Sequence, residues 1–145
     1  MNQILEEVSK TKKNGASETT ILADTNVLLR LGQDIDSLNK NGWRIAVTTS
    51  ILLELRKKDQ ALYFYACANF EVINDHTEKV ASEAAYIYTH QPDNLIIAAA
   101  KVNKLRLVSY DRVLLKIAAY QGVDACLPEQ LIQSKHIIDR AQGGI

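Results

Sequence analysis

Five short β-rich runs recur along this chain, separated by longer stretches with helical spacing, and that alternation restricts the fold more than any other feature. The runs are TTILA (19–23), RIAVT (44–48), FEVI (70–73), LRLVS (105–109) and VDACL (123–127). Between them, 27–40, 50–68, 77–90, 92–103 and 111–121 carry apolar residues three and four apart, as helices do. Strand–helix–strand repetition predicts an α/β fold in three layers, with a central parallel sheet of about five strands and helices on both faces. Right-handed crossovers follow for such units. Some boundaries carry their own chemistry: Ser50 as a helix cap, Pro92 in a first helical turn, and Gly122 closing the last helix.

Length and composition suit that fold. The 145 residues amount to one ordinary domain, and a 47% hydrophobic content is enough for a real core. Lys plus Arg and Asp plus Glu are each 17, so no global field draws the chain to nucleic acid, and any polyanion must be met by a local patch. Apolar runs such as 95–100 fall far short of a membrane span of about 20 residues. The N-terminus, MNQILEEVSK, has acids where a signal peptide has bases. The expectation is a soluble, cytoplasmic protein with no membrane partner. Residues 1–18 read as a polar N-terminal arm, and 19–145 as a single domain with a C-terminal tail. Cys67 and Cys126 stand apart and read as buried free thiols rather than as a disulfide or a zinc site.

Four acids sit at awkward places. Asp24 ends the first strand within ILADTNVLL, and Asp111 follows the fourth as Ser-Tyr-Asp. Glu54 lies one turn into a helix among Ile51, Leu52, Leu53 and Leu55, and Asp93 follows Pro92 at the head of NLIIAAA. In a parallel sheet all four points fall on the carboxyl edge, where open α/β sheets bind ligands. Asp24, Asp93 and Asp111 are also explained as helix caps or first-turn acids favoured by the helix dipole, a reading that Glu54, apolar on both sides, fits less well. Carboxylates that converge without a cation repel one another, and an all-oxygen, thiol-free set suits Mg²⁺ or Mn²⁺ rather than zinc. Asp34, Asp36, Asp59, Asp75, Asp124 and Asp139 lack such contexts and read as solvated or turn acids.

ILADTNVLL, TTSILLELRK, PDNLIIAAA and LVSYDRVLLKIAAYQGV, taken in order, resemble the four motifs of the PIN-domain ribonucleases, a family that includes VapC-like toxins. The resemblance covers about 21–123 and matches Asp24, Glu54, Asp93 and Asp111 to the family's four acids. It implies Mg²⁺- or Mn²⁺-dependent hydrolysis of RNA phosphodiester bonds, with Asp24, Glu54 and Asp93 as main ligands. Asp111 would hold a second cation or act through water. Thr25, Asn26 and Ser109 would orient the carboxylates, or serve only as turn and cap residues. Tyr110 departs from the family, which more usually has a smaller or polar residue there, and the N-terminal arm departs from its stand-alone toxins.

For RNA, Lys101, Lys104, Arg106, Arg112 and Lys116 are set against Asp111 alone, an excess of four positive charges, and Arg56, Lys57 and Lys58 follow Glu54. Arg56, Lys57, Lys101 and Arg112 are the candidate phosphate contacts; ordinary solvated helix faces are the plainer reading. As partners the resemblance admits an antitoxin protein and a homodimer, with LYFYA (62–66) as a candidate interface or core segment. The alternatives are an RNA-processing PIN nuclease outside toxin–antitoxin pairs and a non-catalytic metal-binding interaction module.

Overall fold

β1 (Thr20–Ala23) is buried along its whole length because it lies at the middle of the sheet, with a parallel partner on each side. A computed structural model describes residues 19–131. The predicted arm, the tail beyond 131, His136 and Asp139 lie outside the described residues. The sheet has five strands in the order β3-β2-β1-β4-β5, every neighbouring pair parallel. β2 is Arg44–Thr48, β3 Glu71–Ile73, β4 Arg106–Val108 and β5 Ala125–Cys126. Ile21 pairs with Ile45 on one side and Arg106 on the other, so the first and fourth strands meet at the sheet centre.

Successive connections are helical. α1 (Thr25–Leu31), a 3₁₀ turn (Gly32–Asp34) and α2 (Ile35–Lys40) lead to β2. α3 (Thr49–Lys58) and α4 (Gln60–Asn69) lead to β3, α5 (Glu78–Ala84) and α6 (Asp93–Asn103) to β4, and α7 (Arg112–Tyr120) to β5. The chain steps outward from β1 to β3, then returns to the other side of β1 for β4 and β5. With right-handed crossovers this reversal puts α1–α4 on one face and α5–α7 on the other, giving the three layers. Ile21, Leu22, Val47, Leu107 and Val108 fill the middle layer, and Ile51, Leu55, Ile96, Ile97 and Leu114 pack onto it. Leu95, Ile96, Ile97, Ala98, Ala99 and Ala100 are all buried, so α6 is enclosed on every side over this stretch. That explains an apolar run with no polar stripe. No helix among the described residues is long and apolar enough to cross a membrane.

The structure differs from the sequence expectations at several joints. The helix predicted over 50–68 is two helices, broken at Asp59. Asp59 is extended (φ −155°, ψ 95°), and its side chain accepts from the Leu62 N–H at 3.1 Å. It therefore ends one helix and caps the next, an exposed acid at the turn between them. Ser50 is not the α3 cap: the fully buried Thr48 accepts from the Ile51 N–H at 3.1 Å, and Ser50 lies within the helix. The stretch 27–40 is interrupted by Gly32, at φ +50°. Gly122, at φ +78°, follows the end of α7 as expected. Both cysteines are free, but Cys67 is exposed rather than buried, since α4 turns Leu62, Ala66 and part of Tyr63 inward and Cys67 away. Asp75 is the largest correction. It is fully buried beside β3, accepting from Thr49 Oγ1 at 2.6 Å, with His76 Nε2 3.3 Å away.

Candidate active site

Asp24 is where cap and site readings meet, because its carboxylate does two jobs. The residue keeps extended backbone angles (φ −70°, ψ 159°) at the head of α1. Oδ1 accepts from the Thr25 N–H at 2.8 Å, which is cap chemistry. Oδ2 accepts from Ser109 Oγ at 2.8 Å and from Asn26 Nδ2 at 3.3 Å. Those two partners stand on opposite sides of the β1–β4 junction, the point where the strand order reverses. The sheet thus places Asp24 in the crevice that α/β proteins use for ligands.

A small polar network stitches that crevice. Ser109 is fully buried, and its Oγ also accepts from the Asp111 N–H at 3.0 Å and from Asn26 Nδ2 at 3.2 Å. Asn26 Oδ1 accepts the Tyr110 N–H at 3.0 Å. Asp111 caps α7, accepting from the Val113 and Leu114 N–H groups at 3.0 and 3.2 Å. On the far side of Asp24, Thr25 Oγ1 donates to Glu54 Oε2 at 2.5 Å, and Lys58 Nζ lies 3.6 Å from Glu54 Oε1. Thr25, Asn26 and Ser109 therefore each touch one of the four acids or its neighbour. Thr25→Val, which keeps shape and removes the donor, should lower stability by about 1 kcal/mol. The check is a lower urea midpoint with an unchanged m-value.

Asp93 completes the edge. It heads α6 and makes no side-chain cap bond there. Burial raises its carboxyl above the ordinary range, and the charges of Asp111 and Glu54 push it the same way, against His90. Asp24 is likewise raised, first by burial and then by the charges of Asp93 and Glu54, while Ser109 and Thr25 oppose the shift. All four acids therefore share one edge and feel one another. They are not closed around a point: among the described residues no three His, Cys, Asp or Glu side chains form a group ready to hold an ion. The donor chemistry, carboxylate oxygens with no thiol, fits a hard cation such as Mg²⁺ or Mn²⁺, and a cation would offset their mutual repulsion.

The basic residues divide. Arg112 opens α7 directly after Asp111, on the acidic edge, and Arg56 and Lys57 lie in the last turn of α3. Lys101 is eight residues beyond Asp93 on α6, about 12 Å along a helix, and lies 3.3 Å from Glu83. Lys104 and Arg106 are at the opposite edge of the sheet, where Arg106 Nε meets Asp124 Oδ2 at 2.8 Å. The local charge excess read from 101–116 is thus split between the two edges. Lys101, Lys104, Arg106 and Asp124 line a cavity of about 400 Å³ at the far edge. α6 and α7 end there, and helix C-termini favour cations over anions.

The fold has counterparts among solved structures. PAE2754 from Pyrobaculum aerophilum is 20% identical over 84% of this chain and 98% of its own, with a TM-score of 0.62. A PilT N-terminus domain protein, SSO1118, from the archaeon Sulfolobus solfataricus P2 is 18% identical over 80% of this chain and 92% of its own (TM-score 0.59). The chain has the PIN-domain fold. A chain of VapBC2 from Rickettsia felis, solved bound to a DNA fragment from its promoter, is 16% identical over 74% of this chain and 98% of its own (TM-score 0.59). The sequence matches no family model and no curated protein. Within the PIN fold of this chain, sequence reasoning missed Arg30, which lies over the Tyr110 ring at 4.5 Å. It also missed the burial of Asp75. The available signal for Asp75 was its place just after β3, as Asp24 stands just after β1.

Proposed function

We propose that this PIN domain is a ribonuclease that hydrolyses RNA phosphodiester bonds with Mg²⁺ or Mn²⁺. The observation that carries the reading is the carboxyl edge itself: Asp24, Glu54, Asp93 and Asp111 arrive there from four separate elements. Asp24 and Asp93 are held above the ordinary carboxylate range, first by burial and in part by the charge of others among the four. When bound, a divalent cation supplies charge for the scissile phosphate and a water acidic enough to attack it. The chain's part is to hold that charge in place. Ser109 and Asn26 fix Asp24, Thr25 fixes Glu54, and the N-terminus of α7 fixes Asp111. The test is cleavage of a labelled structured RNA in millimolar Mn²⁺ or Mg²⁺ against EDTA. Cleavage with metal and none in EDTA is the expected result, and equal outcomes in the two buffers would sink the reading. Melting curves give a second readout, because a cation bound only by the folded chain adds about 2.7 kcal/mol at a hundredfold excess over Kd.

A finer reading, the toxin of a toxin–antitoxin pair, draws support from the fold shared with the Rickettsia felis VapBC2 chain. The partners would be an antitoxin and a second copy of the chain. Phe64, 66% exposed on α4, supplies apolar surface for such a contact. A small reading frame beside the gene, whose product restores growth when co-expressed, separates this reading from an RNA-processing role.

A further inference from the structure

Tyr110 stands between Ser109 and Asp111, at the rim of the acidic edge, and it is fastened in three ways. Its backbone N–H donates to Asn26 Oδ1 at 3.0 Å. Its hydroxyl lies near the Glu129 carboxylate, in the helical turn that begins at Pro128. Its ring face carries the guanidinium of Arg30, 4.5 Å from the ring centroid. Two of these contacts come from α1 and one from the turn at Pro128, so the ring is a shelf tied to α1, and the cation lying on it is held with it.

We propose that Arg30, laid on Tyr110, grips a backbone phosphate of the RNA strand beside the acidic edge, a role that rests on the ribonuclease reading above. Four carboxylates repel a polyanion, so a strand lies along this edge only where rim cations offset them. Several of the chain's cations are already engaged: Lys58 with Glu54, Lys101 with Glu83 and Arg106 with Asp124. Arg30 is exposed and has no carboxylate within ion-pair distance among the described residues. Stacking occupies the face of its guanidinium and leaves the in-plane N–H donors free, the fork that matches two phosphate oxygens. Tyr110 acts as the positioning residue, since a cation ordered before binding loses less entropy on binding.

The test compares wild type, Arg30→Ala, Arg30→Lys and Tyr110→Leu as full chains. Anisotropy of a labelled single-stranded phosphorothioate RNA, which resists hydrolysis, is read across a KCl series in Mn²⁺. Arg30→Ala should weaken binding about tenfold, as loss of one charged hydrogen-bonding group does. Its slope of log affinity against log salt should fall by about 0.7, the release of one phosphate contact on a single strand. Arg30→Lys should keep the slope and bind less tightly than wild type. Tyr110→Leu should also keep the slope and lose affinity, with circular dichroism unchanged in every variant. An Arg30→Ala protein with wild-type affinity and slope overturns the proposal, as does a wild type that does not bind the strand. Because binding is read without cleavage, loss of the nuclease reading alone, shown by absent Mn²⁺-dependent hydrolysis, is seen separately.

Discussion

Asp93→Asn should lower metal-dependent RNA cleavage by at least about a hundredfold while leaving the protein folded. Loss of an outer group that merely orients a ligand costs about 10- to 100-fold, and Asp93 is proposed as a ligand itself. The substitution keeps the shape and removes one charge. Asp93 is also the cleanest of the four positions to change, because it makes no side-chain cap bond. Asp24→Asn is less clean: it would set an amide against Ser109 Oγ or Asn26 Nδ2, both already within 3.3 Å of Oδ2. The stability readout has a definite sign. The Asp93 carboxyl is raised by burial and by Asp111 and Glu54, so its ionised form costs the folded state. That cost is present above the folded pKa and disappears as pH falls below the unfolded value. In EDTA near neutral pH, Asp93→Asn should therefore melt above wild type, and the two should converge in acid. The opposing loss of a first-turn helix charge is a few tenths to about 1 kcal/mol. In Mn²⁺ the wild type should gain more than the variant. A variant that cleaves at the wild-type rate, or melts below it in both buffers, would return Asp93 to the rank of an ordinary first-turn acid.

Ser109→Ala should cost about 2–3 kcal/mol of stability at neutral pH, large for the loss of one oxygen. The hydroxyl has a single proton, and the 2.8 Å distance to Asp24 Oδ2 assigns it there rather than to Asn26 Oδ1 at 3.4 Å. The same oxygen accepts the Asp111 N–H. Alanine would leave a buried carboxylate and a backbone donor each short of a partner, with no room for bulk water at a fully buried position. The loss should depend on pH. Burial raises the Asp24 carboxyl and the Ser109 bond holds it down, so removing the bond raises it further. The penalty is full where Asp24 is ionised and shrinks as pH falls through its folded value. Urea unfolding at neutral and acidic pH checks both statements. A loss under about 0.5 kcal/mol at neutral pH would show that the network is ornamental.

Hydrophobic patterning made the layers and all five strands legible, because a central parallel sheet writes itself as short apolar runs with helices between. The shared edge of Asp24, Glu54 and Asp111 followed from topology, since each strand's end feeds the next helix on the same side; Asp93 joins them because α6, the second helix between β3 and β4, runs back from that edge to β4. What stayed hidden depends on geometry between distant segments. Lys101 and Asp111 are near neighbours in sequence, yet α6 runs away from the acidic edge, so the chain must turn at Lys104 before β4 brings it back. Lys104 makes that turn at φ +54°, with no glycine to announce it. Asp75 and Thr49 are 26 residues apart, so the place of Asp75 just after β3 marks a strand end without naming Thr49 as the partner of its carboxylate. Arg30 and Tyr110 meet only because β1 and β4 are neighbours. Ser50 lost the cap to Thr48 by two residues, an ambiguity that a Thr-Thr-Ser sequence cannot resolve.

The placement of β4 beside β1 has a consequence for the growing chain. Asp24 waits 85 residues for the serine that fixes it. Until 106–111 has been made, β1 has one open flank, α1 has no Asn26–Ser109 tie, and neither Asp111 nor the Tyr110 shelf exists. A nascent chain halted within α6 holds three of the four acids but no assembled edge. Any chemistry of that edge is thereby withheld until 106–111 has emerged, so products that stop short of it carry ingredients of the site without its capacity.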